Sequence, residues 1–133
     1  MELSLQEMLD WCQTEKKRFW EYMLYDDMAQ RGISQEESFA YMEKIFDTME
    51  QTVKTYRQDR LSASGLVGAE GGKLEAYVKT GNTLCGSFME EAMITALKMA
   101  ESNACMRRIV AAPTAGSCGV IPAVLLPYYE LKK

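Results

Sequence analysis

Apolar residues recur at helical spacing through the first sixty positions. Leu5, Met8, Leu9, Cys12, Phe19, Met23 and Met28 form one stripe, with Lys16 in a slot where the period expects an apolar residue. Phe39, Met42, Phe46, Met49, Val53 and Tyr56 form a second, advancing by steps of three and four. Each stripe follows a hydroxyl-x-x-glutamate pattern, Ser4 to Glu7 and Ser34 to Glu37. In that pattern the hydroxyl takes an orphan N–H and the carboxylate reaches back to the cap. Gly32 after Arg31 supplies a left-handed stop. The pattern predicts two long helices, residues 5–30 and 35–60, packed as an antiparallel hairpin. Stripes of Met and aromatic residues at this spacing read as packing faces before they read as partner-binding surfaces.

After residue 60 the pattern changes. Four glycines fall within eight residues (Gly65, Gly68, Gly71, Gly72), which predicts loop rather than helix and brings backbone N–H groups within reach of an anion. A short helix is expected over Gly72–Lys79. Ser87 to Glu90 is a third hydroxyl-x-x-glutamate pattern, opening a helix to about Met106. Phe88, Met89, Ala92, Met93, Ala96, Leu97, Met99 and Ala100 lie on nearly every side of it, so it should be central and buried. A further helix is expected near Pro122, where proline in a first turn loses no needed N–H. Period-two alternation is nearly absent. The reading is therefore all-α and a single helical domain over 1–133: a hairpin (1–60), then Gly-rich loops and core helices (61–133), with no sheet beyond two short strands.

Composition sharpens the contrast between the halves. Residues 1–60 carry thirteen acids and eight bases, whereas residues 61–133 carry six and seven; eight of nine glycines and all three prolines fall in the second half. Chemistry is expected there. A net charge of −4 argues against broad binding to nucleic acid or acidic lipid, and no apolar run is long enough to span a membrane. With no histidine, Ser-His and Cys-His dyads and His-containing zinc sites are excluded within this chain. Four cysteines without a secretory signal at the N-terminus read as reduced thiols of a cytoplasmic protein. They contain no C-x-x-C pair. Cys12 and Cys105 read as core thiols and Cys85 as a structural loop residue. Cys118 lies in Pro113-Thr114-Ala115-Gly116-Ser117-Cys118-Gly119, just ahead of an apolar helix. Donors at a helix start favour a thiolate, which makes Cys118 a candidate nucleophile or metal ligand; a small buried residue in a tight turn is the alternative.

The segment Ile109-Val110-Ala111-Ala112-Pro113-Thr114-Ala115-Gly116-Ser117-Cys118-Gly119-Val120-Ile121-Pro122 resembles the signature of the iron–sulfur-dependent L-serine dehydratases, in their alpha chain. Ser64-Gly65-Leu66-Val67-Gly68 is similar to the S-G-L-T-G segment of that family, and Glu101-Ser102-Asn103-Ala104-Cys105-Met106 to its E-x-N-A-x-M stretch. The resemblance covers essentially the whole chain. It implies a mostly helical catalytic domain, a [4Fe–4S] cluster held by three cysteine thiolates, and an open iron acting as Lewis acid on the hydroxyl of L-serine. The products would be pyruvate and ammonia.

By position, Cys118 matches the first cluster cysteine, and the other two lie beyond Lys133 in relatives. The resemblance thus implies an N-terminal piece of the alpha chain that binds no cluster and is inactive alone. Its partners would be L-serine and the beta chain of the dehydratase, and a homo-oligomer is compatible with it. Neither nucleic acid nor membrane is expected. The substrate would be held by Ser62, Ser64, Gly65, Thr114, Gly116 and Ser117, through N–H groups and hydroxyls of two loops facing one cavity. The general base is unassigned. Val67 replaces the usual threonine, Ala69 a common second glycine, and Arg107 a glycine after Met106. Two other functions fit the residues: a non-catalytic helical interaction module, and a related hydro-lyase acting on threonine or another small hydroxy compound.

Overall fold

In a computed structural model, which describes residues 4–132, all regular structure is helical. The order is α1 (Leu5–Glu15), α2 (Phe19–Arg31), α3 (Gln35–Lys54), α4 (Glu70–Val78), α5 (Ser87–Ala104), a 3-10 turn (Ala115–Ser117) and α6 (Val120–Lys132). No strand occurs among the described residues, and none of their helices is long and apolar enough to cross a membrane. The extreme N-terminus, read above for a targeting signal, begins with residues 1–3; these and residue 133 lie outside the described residues. The chain divides into two compact units, Met1–Lys44 and Ile45–Lys133, with the border inside α3.

In the first unit, the single helix expected over 5–30 is two. Lys16, the polar residue in the apolar slot, takes a left-handed conformation (φ 52°) and ends α1. Arg18 then opens α2, its N–H donating to Glu21 Oε2 at 2.9 Å. The caps at Ser4 and Ser34 form as expected, and Gly32 (φ 63°) stops α2. Rings join the first two helices, Trp11 meeting Tyr22 edge-on at 5.2 Å and stacking on Tyr25 at 5.6 Å. Ser38 Oγ donates to Asp27 at 2.5 Å, and the Arg31 guanidinium lies 4.3 Å from the Tyr41 ring centroid, tying α2 to the start of α3.

The second unit is built around α5, with α4 and α6 against it. Met99 on α5 is fully buried, and Ile94, Pro122, Ala123 and Leu126 are buried with it. α6 starts so near α5 that a Cβ on Gly119 would sit 3.1 Å from the Ala96 carbonyl oxygen. Four expectations change here. α3 stops at Lys54, short of 60, and frees Tyr56 from the helix. α4 begins at Glu70 and takes Gly71 and Gly72 into its first turn, because a Cβ on Gly71 would meet the Lys98 backbone nitrogen at 3.1 Å. Ser87 is not a cap: Gly86 caps α5, and the Glu90 carboxylate accepts from the Thr83 hydroxyl instead. Nor is the buried face of α5 the one hydropathy predicts, since Thr95, Lys98, Glu101 and Ser102 are buried while Met89 is half exposed.

Candidate functional site

The loop ahead of α4 and the turn ahead of α6 carry the residues singled out above. Between Arg60 and Ala69 the chain folds onto itself: Ser62 N–H donates to the Val67 carbonyl at 2.8 Å, and Val67 N–H to Ser62 Oγ at 3.2 Å. Gly65 N–H bonds the Ser62 carbonyl at 2.8 Å, Leu66 N–H reaches Ser64 Oγ at 3.4 Å, and the two serine hydroxyls are 3.1 Å apart. Gly65 has φ 72° and Gly68 φ 141°, and a Cβ on Gly68 would lie 2.5 Å from the Arg60 carbonyl oxygen. The glycines close the loop, and the N–H groups of Ser62, Gly65, Leu66 and Val67 point inward. The expectation that such N–H groups form an open anion cradle is corrected: they already have acceptors. What the loop offers a ligand is its hydroxyls.

The N–H groups just downstream are taken as well, by a carboxylate that spacing did not single out. Glu101, buried on α5, accepts at Oε1 from Glu70 N–H at 2.7 Å and from Gly71 N–H at 3.1 Å. Its Oε2 accepts from the Tyr56 hydroxyl at 2.5 Å, and that hydroxyl accepts from Gly72 N–H at 3.3 Å. An internal anion thus occupies the positive end of α4. Burial, then the bond to Glu101, pushes the Tyr56 phenol up to about 12. Lys98 adds a second tie between α4 and α5, its Nζ 3.0 Å from Glu75 Oε2, and this bond holds Glu75 below its ordinary value. The only hint of this role in the sequence is the glutamate heading Glu101-Ser102-Asn103-Ala104.

The second segment is a compact turn. Thr114 Oγ1 and Ser117 Oγ are 3.0 Å apart, and Ser117 N–H donates to the Thr114 carbonyl at 3.2 Å. Asn103 of α5 donates from Nδ2 to the Ala115 carbonyl at 3.0 Å. Gly116 lies in the 3-10 turn and is open to solvent. Cys118 is buried, 2% exposed, with Sγ 4.0 Å from the Met99 carbonyl oxygen. Burial pushes its thiol up and the sulfur faces α5 rather than the free end of α6, which is the small buried residue in a tight turn that the sequence offered as the alternative to a thiolate. Cys12 is a buried thiol and Cys85 an exposed loop thiol, as read from their positions. Cys105 is not a core residue; it is half-buried with Sγ 3.8 Å from the Arg60 carbonyl oxygen.

α5 therefore gathers both segments at its C-terminal end. Glu101 holds the residues just after the Ser62–Gly68 loop, Cys105 the carbonyl just before it, and Asn103 the Thr114–Gly119 turn. No group of three Cys, Asp or Glu side chains able to hold a metal occurs among the described residues. Cys118 is a single thiol turned toward the Met99 carbonyl, and no such group includes it, so the described residues do not fit a whole [4Fe–4S] cluster.

The family described as serine dehydratase alpha chain matches residues 14–133. A Bacillus subtilis (strain 168) protein described as "Probable L-serine dehydratase, alpha chain" is 30% identical over 127 residues, which is 96% of this chain and 42% of that protein. The "L-serine dehydratase, alpha chain" of Peptoniphilus asaccharolyticus is 28% identical over 128 residues, 96% of this chain and 44% of its own length. The chain thus spans less than half the length of these curated relatives. No solved structure matches.

Proposed function

The chain belongs to the serine dehydratase alpha-chain family, and we propose that it forms the substrate-facing part of a cytoplasmic L-serine dehydratase that releases pyruvate and ammonia. The observation that carries this reading is the family's signature turn, folded here with Thr114 and Ser117 hydroxyls side by side and fastened to α5 through Asn103. An amino-acid substrate presents a carboxylate and an ammonium. Paired hydroxyls, which donate and accept, suit both, and Ser62 with Ser64 form a second pair. Gly65, at φ 72°, acts by shaping that loop, and Gly116 leaves the face of the turn beside the Thr114 hydroxyl free of side chain.

In this reading residues 4–132 contribute Cys118 alone to a [4Fe–4S] cluster. The remaining ligands come from polypeptide outside them, and the isolated chain is inactive. The same division of labour accounts for a companion chain, since both relatives are described as alpha chains. To ligate iron, Cys118 Sγ has to turn away from the Met99 carbonyl and lose its proton. The test is anaerobic purification, through a tag on this chain, of everything encoded in its transcription unit. Iron, pyruvate and ammonia are then measured with L-serine, alongside L-threonine as the competing substrate. Equimolar pyruvate and ammonia from L-serine are expected, with iron and activity both lost in Cys118→Ser. Absence of pyruvate from an iron-replete preparation overturns the reading, and faster turnover of L-threonine moves it to another hydroxy amino acid.

A further inference from the structure

The carboxylate at the start of α4 does more than cap a helix. The carboxylate and the phenol it holds cover three consecutive N–H groups, with Glu101 taking those of Glu70 and Gly71 and Tyr56 taking that of Gly72. Immediately upstream, Ala69 (φ 73°) and Gly68 (φ 141°) form a sharp left-handed corner from which the Ser62–Gly68 loop hangs. At its other end the loop starts from Arg60, whose carbonyl oxygen faces Cys105, one helical turn beyond Glu101 on the same side of α5. Both feet of the loop therefore stand on adjacent turns of one buried helix, and the loop's own hydrogen bonds make it a stiff unit between them. α4 is held a second time by the ion pair of Lys98 with Glu75, so the corner cannot shift along α5 without breaking charged contacts at two levels.

We propose that Glu101, acting with Tyr56, is a positioning residue for L-serine: it sets the Ser62–Gly68 loop so that the Ser62 and Ser64 hydroxyls meet the substrate carboxylate. This deepens the L-serine dehydratase reading and rests on it. Glu101 touches no substrate. A contact that grips the carboxylate equally before and during reaction contributes uniform binding, so loosening the loop raises KM and leaves kcat nearly unchanged.

Two substitutions test this without emptying the core. Glu101→Gln keeps the shape and one acceptor but presents an NH2 to the Tyr56 hydroxyl, and Tyr56→Phe removes the hydroxyl that Gly72 N–H and Glu101 share. In the 133-residue chain, amide hydrogen exchange over residues 61–73 is expected to quicken at least tenfold in both variants. Exchange in α5 and α6 should stay within about twofold of wild type. In the anaerobically purified enzyme that contains this chain, KM for L-serine is expected to rise about tenfold with kcat within threefold. Glu70→Gln alters only the surface pair of Glu70 with Lys73 and should move neither readout.

Unchanged exchange over 61–73, or quickening spread equally over α5 and α6, overturns the positioning role even when the enzyme makes pyruvate. A fall in kcat at constant KM overturns the assignment to carboxylate binding. If wild-type enzyme makes no pyruvate from L-serine, the dehydratase reading and the substrate clause fall together, whereas the exchange experiment still decides whether Glu101 holds the loop.

Discussion

The two units of the chain are stabilised by different physics. Residues 4–44 rely on local devices: two capping boxes, ring contacts among Trp11, Tyr22 and Tyr25, and surface ion pairs such as Lys17 with Glu21 and Arg31 with Asp27. Few side chains are buried, and Trp20, Met23, Leu24, Phe39 and Met42 line an open groove of about 460 Å³. Residues 45–132 use contacts distant in sequence. Thr52 Oγ1 bonds the Arg108 carbonyl at 2.9 Å, Glu101 reaches Glu70 and Gly71, and Lys98 reaches Glu75. Surface pairs contribute about 0–1 kcal/mol each, whereas losing one partner of a buried charged network costs about 3–5 kcal/mol. The family's signature segments fall in the second kind of structure. Under the proposed function these loops would hold a small polar substrate, which calls for a scaffold whose own polar groups are already matched, and among the described residues no buried side-chain N or O lacks a partner.

The contrast is broken most forcefully at Met99, which is fully buried at the centre of the second unit. Met99→Ala is expected to cost about 2–5 kcal/mol. Both tryptophans, Trp11 and Trp20, belong to the first unit, so their fluorescence reports it alone, while helical circular dichroism reports both. In urea, Met99→Ala should move the dichroism transition far more than the fluorescence transition. Equal shifts in both would mean that the units unfold as one cooperative body, and the comparison would lose its energetic meaning.

Tyr56 sharpens the same contrast through pH. Its folded value, about 12, exceeds the ordinary 10.0, so the neutral phenol stabilises the second unit. The effect is complete below pH 10 and is lost as pH rises through about 12. Burial raises Tyr22 of the first unit as well, so an absorbance titration of the tyrosinates should lose one of its late groups in Tyr56→Phe, the one whose step is accompanied by loss of α4 and α5 structure. Glu75 works in the opposite direction. Its lowered value makes the bond to Lys98 a contribution present above the ordinary glutamate value of 4.5 and lost as pH falls below it.

A smaller difference separates two glycines. Gly68→Ala forces a Cβ to within 2.5 Å of the Arg60 carbonyl oxygen at φ 141°, and a backbone oxygen cannot swing aside as a side chain can. A cost of about 1–3 kcal/mol in the second unit is expected. Gly32→Ala has a left-handed φ of 63° but nothing within 4 Å, so only the conformational cost, about 1 kcal/mol, applies. Urea midpoints of the two variants, read by dichroism and by tryptophan fluorescence respectively, check the ranking. A Gly32→Ala cost equal to or above that of Gly68→Ala would show that the close approach at Arg60 is relieved by backbone movement.

These sites also mark where sequence reasoning succeeds and where it stops. Caps at Ser4 and Ser34 and the stop at Gly32 were legible because each is decided within four residues. The break at Lys16 was visible only as a polar residue out of period, since the apolar stripe resumes at Phe19 and a period cannot register a three-residue interruption. Gly71 and Gly72 read as helix breakers, yet they lie in α4 because close packing on Lys98 outweighs their low propensity. The burial of Glu101 and Lys98 depends on partners that are about thirty and twenty-three positions away, which no local pattern encodes. For Cys118, location at a helix start was legible, but the direction of its sulfur depends on how closely Gly119 lets α6 approach α5.

The smallest expected effects come from the two units' strained corners. Ala69 (φ 73°) at the start of α4 and Lys16 (φ 52°) at the end of α1 both occupy the left-handed region that a Cβ disfavours by about 1–2 kcal/mol. Glycine removes that strain but loses about 0.5–1 kcal/mol through its greater freedom in the unfolded chain. Ala69→Gly and Lys16→Gly are therefore each expected to stabilise by about 0.5–1 kcal/mol, in different signals. Lys16→Gly acts on a surface turn of the first unit and should raise the tryptophan fluorescence midpoint. Ala69→Gly acts at the corner between the Ser62–Gly68 loop and the N–H groups that Glu101 holds, so it should raise the dichroism midpoint. A fall in stability for Ala69→Gly would mean that the alanine's limited freedom, rather than its left-handed strain, governs this corner. The loop would then owe its place to stiffness at residue 69 as well as to the carboxylate behind it.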